Sequence, residues 1–176
     1  MAILSANNMI RSISLFHLTL AVILVRNPSL LSNQSIVLLL GESMQLPTPR
    51  DFAKPSAATA FLAILFALIG LSDLAALSLP EAISDEFWGL QAPVRLLFLF
   101  CLTAYAYVAK EGGMLAPRGS VDYRMSAGAG LNNSLVFTWG FMEVAAWFWV
   151  YSALREERVA KANKEVERKK REEDRL

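Results

Sequence analysis

Long apolar segments alternate with short polar ones along this chain of 176 residues. A helix needs about 20 mainly apolar residues to cross the ~30 Å hydrocarbon core of a bilayer. Four segments come close to that length, at about 8–25, 56–79, 92–109 and 134–154. The alternation of apolar and polar positions that marks strands is absent. The sequence therefore predicts an all-α, polytopic membrane protein with four transmembrane helices, occupying residues 1–154.

Three segments outside these spans complete the pattern. The apolar residues 36–40 are too few to cross a bilayer, and we expect them to lie at its interface or to re-enter it. Residues 81–91 are short and acidic, which favours a linker, and Phe87 and Trp88 in it are typical of an interfacial belt. Residues 155–176 hold 9 of the 17 basic and 7 of the 16 acidic side chains. This charged tail is expected to be a solvated helix that continues the fourth span, or else a disordered segment.

Basic residues close to the ends of spans favour the cytosolic side. The basic residues that follow the fourth span predict a cytosolic tail, and with four spans the N-terminus shares that side. The sequence Asn33-Gln34-Ser35 would then face the lumen, which makes Asn33 a candidate glycosylation site. No basic patch outside the tail is free of matching acids, so no nucleic acid contact is expected. The single cysteine, Cys101, excludes an intrachain disulfide.

Each predicted span carries an ionisable residue within its apolar run: His17, Asp73, Arg95 and Glu143. Charges at bilayer depth cost roughly 2.5–3.5 kcal/mol each on insertion scales, and they normally face a bundle interior or water. Since spans two and three form a hairpin, we expect Asp73 and Arg95 to pair. All four groups could meet in the half of the bundle next to the termini. This polar cluster predicts a structural clamp between helices, a ligand, ion or proton site, or an acid–base site.

An aromatic stripe accompanies Glu143 on the fourth span, because Trp139, Glu143, Trp147 and Tyr151 recur at four-residue spacing. Packing between helices explains this stripe better than a cofactor site does. The sequence contains no histidine-rich ligand set, no glycine-rich phosphate loop and no flanked nucleophile. We therefore expect no metal, no cofactor and no enzymatic activity.

Several segments together resemble a fungal family of small multi-span proteins of the endoplasmic reticulum, named for increased loss of mitochondrial DNA. The resemblance rests on LGESMQLP at 40–47, GLSDL at 70–74, APVRLL at 92–97, NNSLVF at 132–137, Glu143, and ALREE at 153–157. It implies a location in the endoplasmic reticulum membrane and an indirect part in keeping mitochondrial DNA. It implies no catalytic residue.

Three hypotheses about function follow from these patterns. The first is a non-enzymatic membrane protein that acts through contacts with membrane lipids or with other proteins of the endoplasmic reticulum membrane. The second is a small channel or transporter that uses Asp73, Arg95 and Glu143. The third is a bundle that binds, or modifies, a sterol or another lipid, with the acidic residues and the aromatic stripe lining a pocket.

Overall fold

The computed structural model describes residues 5–116 and 128–174, and every regular element within them is helical. Short 3-10 turns lie at Arg50–Phe52 and Ala129–Leu131. The α-helices are α1 (Ala6–Arg26), α2 (Ser29–Ser32), α3 (Ser35–Met44), α4 (Ala57–Leu77), α5 (Glu81–Val108) and α6 (Ser134–Glu173). The described ranges contain no strand, which confirms the all-α prediction for that part of the chain.

By length and composition, three helices could cross a membrane: α1, α4 and α5. Helix α6 begins where the fourth span is predicted. Its first half, however, carries Glu143 and three tryptophans, which make it less uniformly apolar than the other three. The structure thus contains three helices that are both long enough and apolar enough to cross a membrane. The fourth crossing stays a prediction. Helix α3, with 10 residues, is shorter than a crossing requires, as the sequence predicts.

Side-chain caps fix the starts of α4 and α6. The hydroxyl of Ser56 accepts a hydrogen bond from the Thr59 amide at 3.2 Å, and the Thr59 hydroxyl accepts one from the Ser56 amide at 2.9 Å. This reciprocal arrangement satisfies two amides that a helix N-terminus leaves without partners. At the start of α6, the side-chain oxygen of Asn133 accepts from the Val136 amide at 3.0 Å.

Helix α5 is longer than the predicted third span, because it begins at Glu81 instead of Ala92. The residues interpreted as a linker are its first turns, and Pro93 lies inside it. A proline within a helix removes one backbone hydrogen bond and often ends the helix. Here burial outweighs that effect: Trp88, predicted to lie in an interfacial belt, is fully buried (0% exposed) between helices. Arg95 therefore lies about 21 Å along α5 from its start.

The long helices associate as two pairs. Helix α1 packs along α4 to form the first pair, α5 packs along α6 to form the second pair, and contacts between the pairs are sparser. Glycine permits close approach within each pair. A Cβ atom at Gly70 of α4 would come within 2.8 Å of the Ser14 carbonyl oxygen of α1. A Cβ at Gly140 of α6 would clash with the Thr103 hydroxyl of α5.

The outward faces of the pairs are apolar. Large exposed hydrophobic residues line α4 and α5: Phe61, Ile64, Leu68, Val94, Leu97 and Phe98. Soluble monomers rarely expose contiguous apolar surface of this kind. Such faces suit contact with lipid chains.

The charged tail continues α6 as one helix to Glu173. Of the two predicted alternatives, a helix and a disordered segment, the structure therefore has the helix. Its first turns contact the ends of other helices. The Glu157 carboxylate accepts from the Ala6 amide at 2.9 Å, and Lys161 binds Glu81 at 2.7 Å and also Asp85. Hydrogen bonds to Asp85 and then to Glu81 raise the pKa of Lys161. The start of the tail is thereby held against the start of α5.

Candidate functional site

His17 and Glu143 form a buried contact between α1 and α6. Nε2 of His17 lies 3.0 Å from one carboxylate oxygen of Glu143, and both side chains are at most 5% exposed. The indole N–H of Trp147 donates to the other carboxylate oxygen at 3.0 Å. Trp147 is four residues after Glu143, so the two side chains lie on the same face of α6. Both oxygens of the carboxylate thus have partners.

Asp73 and Arg95 form the pair that the sequence predicts between the second and third spans. Two nitrogens of the Arg95 guanidinium each donate to one Asp73 oxygen at 2.6 Å. The Asp73 side chain is 2% exposed and that of Arg95 is 21% exposed. The guanidinium carbon also lies 4.8 Å from the ring centre of Trp147 and 5.6 Å from that of Trp88. Two-pronged pairs of this kind are among the stronger hydrogen-bonded contacts in proteins.

The four predicted ionisable residues therefore come together as two contacts that Trp147 connects. Each contact joins the first helix pair to the second: His17 of α1 to Glu143 of α6, and Asp73 of α4 to Arg95 of α5. Because contacts between the pairs are otherwise sparse, these polar groups are well placed to fix how the pairs meet. Whether they also serve a ligand or an ion stays a prediction.

The residues of the predicted aromatic stripe lie in three different environments along α6. Trp147 is buried at the polar contacts, Trp139 packs edge-on against Phe66 with ring centres 5.7 Å apart, and Tyr151 is 37% exposed. Positions four apart advance by about 400° around a helix, so a stripe at that spacing drifts about 40° per step. Twelve residues are enough to carry Tyr151 away from the interior face.

A mainly apolar cavity of about 600 Å³ lies between the two helix pairs and α3. None of the described residues that line it is charged. Its walls include Leu20 of α1, Val37 of α3, Leu62 and Phe66 of α4, Leu102 of α5 and Trp139 of α6. The Phe66 ring stacks on His17 at 5.6 Å between centres, so the cavity ends next to the His17–Glu143 contact. The third hypothesis expects a pocket lined by the acidic residues and the aromatic stripe, but of these only Trp139 is in this wall. The contribution of Phe66 was not predicted.

The remaining predicted positions lie apart from this region. Asn33, the candidate glycosylation site, is exposed directly after α2 and borders a second, more polar cavity of about 630 Å³ that also contacts Arg50. Its modification stays a prediction. Within residues 5–116 and 128–174, no three His, Cys, Asp or Glu side chains are placed to hold a metal ion.

Comparison with known proteins places the chain in a family. The family model described as increased loss of mitochondrial DNA protein 1 matches residues 4–164. This protein belongs to that family. Protein ilm1 of Schizosaccharomyces pombe is 30% identical over 133 residues, which is 75% of this chain and 70% of the relative. No solved structure matches.

Membership confirms the resemblance seen in the sequence, and the family is implicated in maintenance of mitochondrial DNA. The matched range includes every residue of the two polar contacts and of the wall of the apolar cavity. The matched range therefore includes the entire candidate site.

Proposed function

We propose that this protein is a non-enzymatic, four-span protein of the endoplasmic reticulum membrane that binds a membrane lipid between its two helix pairs. Lipid binding would in turn support maintenance of mitochondrial DNA. The apolar cavity carries this proposal. Its volume of about 600 Å³ lies within the ~300–1,000 Å³ typical of small-molecule sites. Its uncharged lining suits the apolar body of a lipid.

The membrane arrangement has its own support. Helix α6 packs along α5 and buries Glu143 against α1, so its first half lies at the same depth as the other long helices. The bond between the Ala6 amide and Glu157 brings the two ends of the membrane domain together. Basic residues follow Leu154, which favours cytosolic termini. A glycosylation reporter fused to Leu176 should stay unmodified, and its glycosylation would contradict this orientation.

The polar contacts favour the clamp over the transport hypothesis. Both carboxylates are buried and bound to side chains of other helices, so neither is left to coordinate a passing ion. We expect Glu143→Gln to leave potassium and proton flux unchanged in phosphatidylcholine vesicles that contain the full chain. A change in flux beyond that of the exposed control Glu86→Gln would support transport instead.

The cavity itself is tested by filling it. Leu62 of α4 lines the cavity, whereas Leu68 on the same helix is 60% exposed and does not line it. Both are replaced by tryptophan, and the lipids that co-purify with the full chain in mild detergent are quantified by mass spectrometry. We expect one lipid class to be enriched with the native chain and with Leu68→Trp, and to be lost with Leu62→Trp.

Equal lipid profiles for all three proteins would overturn lipid binding in the cavity. Should Leu62→Trp not fold, Thr19→Trp, at another lining position, provides the second test. The same preparations would reveal co-purifying proteins of the endoplasmic reticulum membrane, which is the other contact that the sequence predicts.

A further inference from the structure

The second cavity, of about 630 Å³, lies at one end of the first helix pair and is called the polar cavity below. Helices α1 and α4 run antiparallel, since Ala63 packs near Leu24 whereas Gly70 meets Ser14. The end of α1 and the start of α4 therefore lie together. Residues of α2 and of the segment 47–53, which connect these two ends, line the polar cavity. In the proposed four-span arrangement, this is the level of the lipid headgroups.

The polar cavity has a positive charge in its wall. Among the described residues that line it, Arg50 is the one charged residue, and it is exposed, so a ligand can reach it. Arg50 makes no ion pair within residues 5–116 and 128–174. Asn33 and Thr48, also exposed, add neutral hydrogen-bonding groups to the wall. The charged neighbours Asp51 and Lys54 do not line the cavity. These features favour an anionic ligand.

The polar cavity and the apolar cavity are neighbours. Leu31 of α2 and Phe52 of the 3-10 turn line the apolar cavity. Ser32 and Ala53, which directly follow them in the chain, line the polar cavity. The two turns also contact each other. The cavities thus lie on either side of the same two turns, and one amphipathic molecule that passes over these turns can occupy both.

We propose that the bound lipid is an acidic glycerophospholipid, with its phosphate at Arg50 in the polar cavity and an acyl chain in the apolar cavity. The guanidinium of arginine matches phosphate oxygens in geometry and in charge. The wall of the polar cavity offers no described acidic group to pair with the ammonium of a choline head, so an acidic head is preferred. This assignment rests on the proposed lipid-binding function and gives it a ligand class.

The test measures binding of radiolabelled lipids to the full chain in mild detergent. Bacterial expression keeps Asn33 unmodified. Dioleoyl phosphatidic acid is compared with dioleoylglycerol, which has the same chains without the phosphate, and with dioleoyl phosphatidylcholine. Glycerol 3-phosphate, which has the phosphate without the chains, is the competitor. The variant is Arg50→Gln, and Lys54→Gln is the matched control, because it removes the same charge from an exposed position outside both cavities.

We expect the native chain to prefer phosphatidic acid, and Arg50→Gln to weaken its binding about five- to ten-fold, as the loss of one charged hydrogen bond open to water would. Dioleoylglycerol binding should stay unchanged in that variant. Lys54→Gln should bind as the native chain does, and Arg50→Lys, which keeps the charge, should retain most of the preference. Added salt should weaken phosphatidic acid binding to the native chain more than to Arg50→Gln.

The other outcomes separate the two proposals. If no lipid binds the native chain, lipid binding in the apolar cavity is wrong altogether. If phosphatidic acid binds no more tightly than dioleoylglycerol or phosphatidylcholine, or if Arg50→Gln and Lys54→Gln weaken it equally, the protein binds lipid and only the assignment of an acidic head at Arg50 fails.

A free phosphate compound is the remaining alternative. If glycerol 3-phosphate displaces phosphatidic acid at equal concentration, or if Leu62→Trp, which fills the apolar cavity, leaves phosphatidic acid binding intact, the polar cavity binds a phosphate group by itself. Either result would overturn the single lipid site that spans both cavities.

Discussion

Removal of the charge on Asp73 tests whether the Asp73–Arg95 contact holds the two helix pairs together. Loss of one partner of a fully buried ion pair costs about 3–5 kcal/mol. Here Arg95 is 21% exposed, and it keeps its contact with the Trp147 ring at 4.8 Å, an interaction that stabilises by about 0.5–2 kcal/mol. Both features reduce the expected loss in the free energy of unfolding. We therefore expect Asp73→Asn to cost about 2–3 kcal/mol, or roughly 5–10 °C in melting temperature.

The assay is thermal unfolding of the purified full chain in mild detergent, for Asp73→Asn, Arg95→Gln and the double variant. Because the residues contact each other directly, the double variant should lose less stability than the sum of the single losses, by about 1–2 kcal/mol. Glu86→Gln, at an exposed position on α5, is the control and should change little. Strictly additive losses would refute the pairing, whatever their size.

Two further predictions concern packing and the tail. Gly140→Ala should lower stability by about 1–3 kcal/mol, since its methyl group would meet Thr103, whereas Gly130→Ala, with open space around it, should not; thermal unfolding compares them. Lys161→Ala should cost under about 1 kcal/mol, because the side chain is 47% exposed. The raised pKa of Lys161 keeps this contact charged below the ordinary lysine pKa, and the contact is lost only as pH rises through the raised value. Spin labels on α5 and the tail should therefore keep one distance from pH 7 to 9, and separation within that range would contradict the assignment.

The polar contacts were largely predictable from the sequence, because a charge inside an apolar segment is costly and needs a partner. That argument led directly to Asp73 with Arg95. It also placed Glu143 in the interior, but it could not choose the partner, since depth along a helix does not give the direction that a side chain faces. The two polar contacts and their connection through Trp147 depend on how the four helices are rotated about their axes relative to one another. The periodicity of apolar residues in the sequence does not determine that rotation.

The extent of α5 and the cavity were not predictable for different reasons. Pro93 and the acidic residues 81–91 have the composition of a linker, and tertiary contacts outweigh that local preference: Trp88 is buried, and Lys161 binds Glu81 and Asp85. The cavity is a space between side chains of six helices, so no segment of the sequence encodes it alone.

The two polar contacts differ in how far apart their partners lie in the chain, and this has a consequence for synthesis at the membrane. Asp73 and Arg95 are 22 positions apart, so they can neutralise each other as soon as their hairpin enters the bilayer. His17 must wait for Glu143, which belongs to the last long helix of the chain. In the proposed four-span arrangement, the imidazole of the first helix has no partner until that last helix inserts. The last span would then complete the polar contacts of the membrane domain, and chains that end before it would leave His17 without Glu143.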